Sequence, residues 1–399
     1  MLHLLAVLLC LAFHGSVAYL RRTRRGGRPS VLFVLHDAGE TFALNETIRA
    51  LPAAGVDALV LPLGQPATDA VLCAGHFAGC EPLPVVTLAD LGVEASIVDG
   101  TAGRGQLLSD AQVATIVSKL DQRAVVTGMN YAMQLQLGQA LRAATGSKFA
   151  AFYDSLRLLG SDSDISMALQ RNFTSSTDEV WIASAQLWPS AGWGNNFRVV
   201  GQPTLQEWQA MGQRVDELRA ARARLYGDEA LASGAPAMCW FGGYGPGYEQ
   251  ALRRWCAAVK TLSSSPDLPG LRFSLASHPG HNYGDLDVRV LKEEGVEDLV
   301  VLAPSDMKGL VAALASNLTA SQGSTGGVQS IFAGKPAIFF DPADSFRNED
   351  NLGVLIGMIP DVDTEEQLIS SVRQAAVASW SVDASKLAAA GVPEDAAAE

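Results

Sequence analysis

The stretch GSTGGVQSIFAGKPAIFF (residues 323–340) combines a glycine turn, a short amphipathic helix and a buried strand. The predicted helix begins at a cluster of small residues, Ser324, Thr325, Gly326 and Gly327. Hydroxyls and free backbone N–H groups at a helix start can form an anion-binding nest. The stretch therefore predicts an α/β segment whose helix start holds phosphate groups, although residues of these types also serve as purely structural caps.

The same alternation of apolar strands and longer helices starts at Ser30. VLFVLH (31–36) predicts a strand, followed by a helix that closes at Gly55 and by the strand DALVLPLG (57–64). Further strands in this half are predicted at ASIVDG, AVVTGM, FAAFYD, EVWIASAQLWP and FRVVGQP. Near-continuous apolar strands separated by helices are typical of a parallel sheet that is covered on both faces.

A second alternation follows a charged stretch, residues 204–226, which predicts one helix with GDEALASGAP as the linker after it. The predicted fold class is α/β, with two doubly wound Rossmann-like domains facing across a cleft. The predicted boundaries are 1–18 (signal peptide or anchor), 30–203 (N-terminal domain), 204–236 (helical linker), 237–375 (C-terminal domain) and 376–399 (C-terminal helix and frayed tail).

Length and composition limit the classes of protein to which the chain can belong. With 399 residues it is long enough for two domains, and 48% hydrophobic residues can build large cores. Acidic residues outnumber basic ones by 42 to 29, a net charge of −13, which argues against a broad nucleic-acid-binding face. No nucleic-acid partner is expected.

The N-terminus predicts entry into the secretory pathway, to the ER or Golgi lumen or outside the cell. An apolar run, residues 4–13, precedes small residues that permit signal-peptide cleavage after Ala18, and it is short for a membrane span. The arginines that follow it leave open an uncleaved membrane anchor with the domains in the cytosol, or organelle targeting.

Sequons and cysteines add little to this prediction. Of the N-x-[ST] sites at Asn45, Asn172 and Asn317, we expect at most Asn172 to be accessible, because the other two fall in predicted packed elements. CAGHFAGC lacks a second pair of zinc ligands, so its cysteines are assigned to the core or to a disulfide. The cysteines after residue 18, namely Cys73, Cys80, Cys239 and Cys256, permit two disulfides and require none.

Two acids follow predicted strands of the N-terminal half. In HDAGETFAL, Gly39 permits a tight turn and Glu40 lies in the first helical turn, where we expect it to point toward the cleft and to accept a proton from an acceptor hydroxyl. It could equally serve only to favour the helix dipole. Asp154, in AAFYDS, could orient a sugar, act as a second base or cap the next helix.

Two further turns in the C-terminal half predict ligand binding. FGGYGPG (241–247) lacks Cβ atoms at its glycines and precedes a helix, so an anion can approach its backbone closely; those glycines are Gly242, Gly243, Gly245 and Gly247. Its spacing matches neither the P-loop nor the dinucleotide fingerprint, which disfavours ATP and NAD. His278, in SHPGHN, could donate to a phosphate or ribose oxygen, or only to local backbone; His281 ranks lower.

Together these segments resemble the GT-B superfamily over residues 30–375. HDAGETFALNETIRAL is similar to the SVGE region of bacterial Kdo transferases, whose glutamate is the base, and SHPG is similar to their RHP turn. The segment from AVVTGMNY to FYDSLR resembles the GDT and HVEAGLR motifs of non-hydrolysing UDP-N-acetylglucosamine 2-epimerases. GSTGGVQSIFAGKPAI resembles their DSGGxQEE motif.

The chain also departs from these families. Met129 stands in the place of the acid of GDT, and Asp154 replaces the glutamate of HVEAG, which argues against epimerisation. Ser330 and Ile331 stand where both families carry a glutamate that binds the donor ribose, so donor recognition is altered or lost. Asp344 or Glu349 could take over part of that role.

The resemblance implies a metal-independent glycosyltransferase, without a cofactor, that moves a sugar from a nucleotide sugar to a glycan, lipid or protein hydroxyl. Its implied catalytic residues are Glu40 and Asp154. The implied donor-binding residues are Gly242, Gly243, Gly245, His278, Ser324, Thr325, Gly326, Gly327, Gln329 and Glu349. Two alternatives stay open: a non-catalytic relative that binds a sugar phosphate, glycan or partner, and an epimerase-like enzyme.

Overall fold

The computed structural model describes residues 29–73, 81–161, 164–189, 191–243, 245, 247–278 and 283–393. The chain divides into two compact units; the first reaches Thr204 and the second is Leu205–Gly391. The predicted signal segment 1–18 lies outside the described residues, as do Cys80 and His281. Among the residues that are described, no helix combines the length and apolar character needed to cross a lipid bilayer.

The first unit contains a six-stranded parallel sheet of order β2-β1-β3-β4-β5-β6. Its strands are β1 (Ser30–Leu35), β2 (Asp57–Pro62), β3 (Ala124–Thr127), β4 (Lys148–Phe152), β5 (Glu179–Ile182) and β6 (Phe197–Val199). Its helices are α1 (Ala38–Ala50), α2 (Gln65–Leu72), α3 (Asp110–Lys119), α4 (Ala132–Thr145) and α5 (Asp164–Ser176). Alternate side chains of the central strands enter two apolar cores, one on each face of the sheet.

The second unit has a six-stranded sheet of order β12-β11-β10-β7-β8-β9, also parallel. Its strands are β7 (Ala237–Phe241), β8 (Arg272–Ala276), β9 (Val300–Leu302), β10 (Leu318–Ser321), β11 (Ala337–Phe340) and β12 (Asp361–Val362). The helices are α6 (Pro203–Gly212), α7 (Val215–Tyr226), α8 (Asp228–Ser233), α9 (Tyr248–Ser263), α10 (Tyr283–Glu293), α11 (Gly309–Leu314), α12 (Thr325–Phe332), α13 (Leu352–Leu355), α14 (Glu365–Val377) and α15 (Ala384–Ala389). The predicted fold class, two doubly wound Rossmann-like domains, is confirmed.

Two local predictions were wrong. ASIVDG (95–100) is not a strand; the Gln106 side chain, not a neighbouring strand, bonds the Ser96 carbonyl and the Val98 N–H. The single helix predicted over residues 204–226 is two helices, α6 and α7, and the predicted linker GDEALASGAP contains α8. After Ser381, where fraying is predicted, the described residues include the short helix α15, none of whose residues is buried.

Helix α7 belongs to the second unit because buried polar groups attach it there. Arg222 donates to the Ala315 carbonyl at 2.7 Å and to Asn317 Oδ1 at 2.9 Å. The Tyr226 hydroxyl lies 2.6 Å from Ser274 Oγ and 2.7 Å from Ser316 Oγ. Buried polar groups that lose a partner are costly, so these bonds hold α7 against the sheet.

The cysteines follow the packing. Cys239 and Cys256 are buried free thiols, and burial raises their pKa values to about 11 and about 12. Cys73 is disulfide-bonded. The cysteines of the second unit are therefore core positions.

Of the three sequons, Asn172 is exposed, as expected. The side chain of Asn45 bonds Glu46 and Arg49 within α1. Asn317 Oδ1 accepts the Ala237 N–H at 3.0 Å.

Replacing Gly138 with alanine is expected to destabilise the first unit. Alanine favours a helix over glycine by about 1 kcal/mol, but its Cβ would lie 2.2 Å from the Phe149 ring and would push α4 away from the sheet. We expect a net loss of about 1–3 kcal/mol in the free energy of unfolding, measured by urea denaturation. The control is Gly105→Ala, where the added Cβ meets nothing within 4 Å; an equal loss in both variants contradicts the packing argument.

Candidate functional site

The carboxyl ends of β1, β3 and β4 bring the two predicted catalytic acids of the first unit to one side chain. Asn130 Nδ2 lies 3.3 Å from Glu40 Oε1 and 3.2 Å from Asp154 Oδ1. Asn130 follows the end of β3, whereas Glu40 lies in the first turn of α1 and Asp154 follows β4. A single amide group therefore bridges two carboxyl groups that are far apart in the sequence.

Glu40 is fully buried, at 0% exposure, and does not point outward as the sequence predicted. Its Oε2 accepts hydrogen bonds from the His36 backbone N–H at 3.0 Å and from Gln134 Nε2 at 2.7 Å. A Cβ at position 128 would lie 1.8 Å from Glu40 Oε1, so only glycine leaves room for the carboxyl. Glu40 is charged or polar in either protonation state, so it is this close packing that excludes solvent from its carboxyl.

A third carboxylate, Asp37, lies beside the other two. It caps the N-terminus of α1, and its Oδ1 accepts the Glu40 N–H at 2.9 Å. The Cβ position of Gly39 is 3.3 Å from Asp37 Oδ1 and 3.2 Å from Asp154 Oδ2, so the two aspartates flank the same point. Asp37 and Asp154 are half-buried, and solvent reaches them but not Glu40.

Burial and mutual repulsion set the charge of this cluster. Burial raises the pKa of Glu40 well above its usual range, and the charges of Asp37 and Asp154 raise it further. Burial also raises the pKa of Asp37. Hydrogen bonds from the Glu40 N–H and from Asn130, and the charge of Arg104, offset part of this rise. Like charges close together disfavour full ionisation of such a cluster. Burial and its two acidic neighbours therefore favour the neutral form of Glu40, and hydrogen bonds from the His36 N–H and Gln134 oppose this.

His36 and Tyr131 form an aromatic wall next to the carboxylates. Their rings stack with centroids 3.4 Å apart and planes 8° apart. Burial lowers the pKa of His36 to about 4, so the ring is neutral at neutral pH. Burial and the charges of Asp37 and Glu40 raise the pKa of Tyr131. The wall therefore brings no positive charge to the carboxylates.

In the second unit, the glycine-rich loop packs on the turn that carries His278. The Gly242 N–H donates to the Ala276 carbonyl at 2.8 Å, and a Cβ at Gly242 would lie 2.7 Å from the His278 backbone nitrogen. Gly245 and Gly247 adopt φ values of +93° and +79°, a region that L side chains rarely adopt. The structure thus brings these two predicted segments together.

The predicted anion nest at the start of α12 has fewer free donors than the sequence suggested. Ser324 caps the helix: its Oγ accepts the Gly326 N–H at 3.1 Å, and its carbonyl accepts the Gly327 N–H at 2.9 Å. The Cβ positions of these glycines lie 3.1 Å from the Phe241 ring and 2.8 Å from the Phe339 ring, respectively. Close packing therefore accounts for both glycines, whereas Thr325 is exposed beside them.

The loop of residues 341–350 lies beside this helix start. Asn348 Nδ2 donates to the Gln322 carbonyl at 2.9 Å. A Cβ at Gly247 would lie 2.2 Å from Ser345 Oγ and 3.0 Å from Gln322 Nε2, so the glycine-rich loop contacts the same region. Glu349, predicted to bind the donor, is exposed on this loop.

The positions that lack the expected ribose-binding glutamate are part of the core. Ser330 is fully buried, and its hydroxyl donates to the Gly326 carbonyl at 2.7 Å. Ile331 is also fully buried, whereas Gln329 is half-buried on the same helix. Neither Ser330 nor Ile331 presents a group to a ligand.

Sequence reasoning missed several residues of the first site, namely His36, Asp37, Asn130, Tyr131 and Gln134. A signal for some of them existed, because polar side chains just after parallel strands meet at one edge of a sheet. Asn130 and Asp37 fit that rule. Within the part of the chain that the structure describes, no group of three or more His, Cys, Asp or Glu side chains could hold a metal ion.

No protein-family model and no curated protein matches the sequence. Solved structures are nevertheless similar. A UDP-GlcNAc 2-epimerase from Methanocaldococcus jannaschii has a TM-score of 0.61 at 13% identity, covering 92% of this chain and 97% of that one. The same enzyme from Neisseria meningitidis, bound to UDP-GlcNAc, has a TM-score of 0.59 at 12% identity, with coverage of 92% and 97%. A glycosyltransferase from Rickettsia africae has a TM-score of 0.57 at 11% identity, with coverage of 93% and 92%.

These likenesses span nearly the whole chain, and at such low identity they show the fold and not the reaction. The chain has the GT-B fold. Enzymes with two different reactions, epimerisation and glycosyl transfer, stand among its structural neighbours.

Glu40→Gln is expected to change how stability depends on pH. Because the pKa of Glu40 is raised in the folded state, its contribution to stability is complete below the unfolded pKa and is lost as pH rises through the folded pKa. The glutamine variant lacks this loss, so its Tm relative to that of the native protein should be higher at about pH 8 than at about pH 5. Thermal melts of both proteins measure the difference.

The matched control is Glu46→Gln, an exposed glutamate on the same helix, which should show no such trend. A difference in Tm between Glu40→Gln and the native protein that stays constant with pH would mean that Glu40 is ionised in the folded chain.

Proposed function

We propose that this protein is an enzyme that transfers a sugar from a nucleotide-activated donor to a hydroxyl acceptor, without a metal ion. The observation that supports this most is the carboxylate cluster of Asp37, Glu40 and Asp154 around Asn130. A buried carboxyl with a raised pKa next to two half-buried ones is an arrangement suited to general acid–base chemistry.

Asp154 is the proposed general base. It is half-buried, and Asn130 donates to its Oδ1 at 3.2 Å, which orients the carboxylate. Asp154 takes the proton of the acceptor hydroxyl while that oxygen bonds to the anomeric carbon of the donor. The bond from the anomeric carbon to the diphosphate breaks, and its electron pair leaves with the nucleotide diphosphate.

Glu40 has a different part in this proposal from the one that the sequence suggested. With no exposed surface and three donors around its oxygens, it has no room to contact an acceptor. Its carboxyl instead fixes Asn130, which in turn fixes Asp154. Glu40 is thus a positioning residue, and Asp154 is the residue that exchanges protons.

The second unit supplies the proposed donor site. Ser324 and Thr325 at the start of α12, together with the glycine-rich loop and His278, offer hydroxyl, amide and imidazole donors to a diphosphate. Such donors offset the charge that develops on the leaving group. The likeness to an enzyme bound to UDP-GlcNAc supports a nucleotide sugar as the ligand. The acceptor could be a glycan, a lipid or a protein.

A second candidate is epimerisation of a UDP-sugar, which the likeness to two UDP-GlcNAc 2-epimerases favours. Against it, Met129, which stands in the place of a family acid, is 1% exposed and offers no proton. Incubation with UDP-GlcNAc in D2O, without an acceptor, separates the two reactions. Deuterium at C2 with a second UDP-sugar, seen by proton NMR, would support the epimerase and contradict the transferase.

Asp154→Asn is expected to lower the rate of UDP release from UDP-sugars in the presence of acceptor hydroxyls by at least about 100-fold, the usual contribution of a general base. The affinity for UDP, measured by calorimetry, should not change. Ser324→Ala with Thr325→Ala should show the opposite pattern, with UDP binding weakened. In the native protein, UDP at about 100 times its Kd should add about 2.7 kcal/mol of stability.

The matched control is Asp178→Asn, a change to another half-buried aspartate of the same unit, which pairs with Arg142 and accepts the Phe149 N–H. If the native protein binds no nucleotide sugar at all, the chain is a non-catalytic relative and the transferase proposal is wrong.

A further inference from the structure

Asp287 is a buried carboxyl that no step of the proposed reaction uses. It lies in α10 at 0% exposure, and its Oδ1 accepts the Tyr248 hydroxyl at 2.7 Å. Among the described residues, its Oδ2 has no hydrogen-bond partner. A buried carboxyl is costly to keep, so its place in the fold calls for a physical explanation.

Tyr248 connects Asp287 to the glycine-rich loop. Tyr248 is the first residue of α9, directly after that loop, and is 1% exposed. A Cβ at Gly243 would lie 2.8 Å from the Tyr248 ring, so the loop backbone rests on the ring itself. Burial raises the pKa of the Tyr248 hydroxyl, the charge of Asp287 raises it further, and the nearby Gly243 backbone limits the rise.

The turn after β8 also comes near this carboxyl. Burial raises the pKa of Asp287, and the nearby Ser277 hydroxyl lowers it by less. Ser277 immediately precedes His278, and a Cβ at Gly242 would lie 2.9 Å from Ser277 Cα. Asp287 and Tyr248 therefore lie beneath both turns that form the proposed diphosphate site.

We infer that Asp287 is a positioning residue: acting through Tyr248 and beside Ser277, it holds the glycine-rich loop and the His278 turn in the arrangement that binds the donor diphosphate. Neither the Asp287 side chain nor the Tyr248 side chain contacts the ligand. The identity of the ligand in this inference rests on the proposed function. How rigidly the two turns are held in the free protein does not depend on the proposed function.

The test uses full-length protein and two measurements. Hydrogen–deuterium exchange without nucleotide reports the Gly243 and His278 amides, and calorimetry reports the Kd for UDP. Tyr248→Phe keeps the ring and removes only the hydroxyl, and Asp287→Leu removes the acceptor. Both should speed exchange at these two amides and weaken UDP binding about tenfold, the effect of losing one hydrogen bond to a charged group. Asp287→Asn keeps an acceptor for Tyr248 and should stay within about threefold of the native Kd.

The matched control is Tyr226→Phe, which removes another buried hydroxyl of the same unit, one that bonds Ser274 and Ser316 and not these turns. It should lower the Tm without changing UDP binding or exchange at Gly243. Equal effects of Tyr226→Phe and Tyr248→Phe on exchange at Gly243 would overturn the inference, because general destabilisation would then explain both. If the native protein does not bind UDP, the proposed function fails, while the exchange measurement still decides whether Asp287 orders the turns.

Discussion

The burial of the Glu40 carboxyl against Gly128 is the constraint on which the first site depends. A carboxyl without solvent must find donors inside the protein, and here they are the His36 N–H, Gln134 and Asn130. Each donor comes from the end of β1 or from the chain after β3. The hydrogen bonds of the Glu40 side chain therefore hold the ends of these two strands in place. Asn130 then has a second hydrogen to donate to Asp154, and this extends the arrangement to β4. Burial and like charge raise the pKa of Glu40, whereas solvent reaches Asp37 and Asp154, so the three carboxyl groups differ in environment.

The second unit depends on a different constraint. Three loops meet at one edge of its sheet, and there is no room for side chains between them. Gly242 rests on the backbone of the His278 turn, and Gly247 lies against Ser345. Gly326 and Gly327 let α12 approach the rings of Phe241 and Phe339. Close packing at this edge of the sheet therefore accounts for these glycines. Any anion binding uses the geometry that this packing creates.

The fold was largely predictable from the sequence, because apolar strands that alternate with amphipathic helices leave a doubly wound parallel sheet as the simplest architecture. The wrong predictions concern segments whose local sequence pattern favours one structure while their contacts in the fold impose another. ASIVDG has the composition of a strand, but the Gln106 side chain takes up its backbone groups. The charged run of residues 204–226 has helical character throughout, yet it breaks between α6 and α7.

For the sites, the sequence by itself determined which residues stand at the ends of strands. Glu40, Asp154, Gly242, His278 and Ser324 were all found by that rule, because the position of a residue relative to a strand is a local property. Only the tertiary structure decided which of them solvent reaches and which share a partner. Glu40 is buried because Gly128, far away in the sequence, leaves space for it. Asn130 joins two acids because three strands end side by side, and Asp287 lies beneath two turns because α10 packs against the start of α9. Burial and shared hydrogen bonds depend on contacts between distant segments, and a single sequence does not specify them.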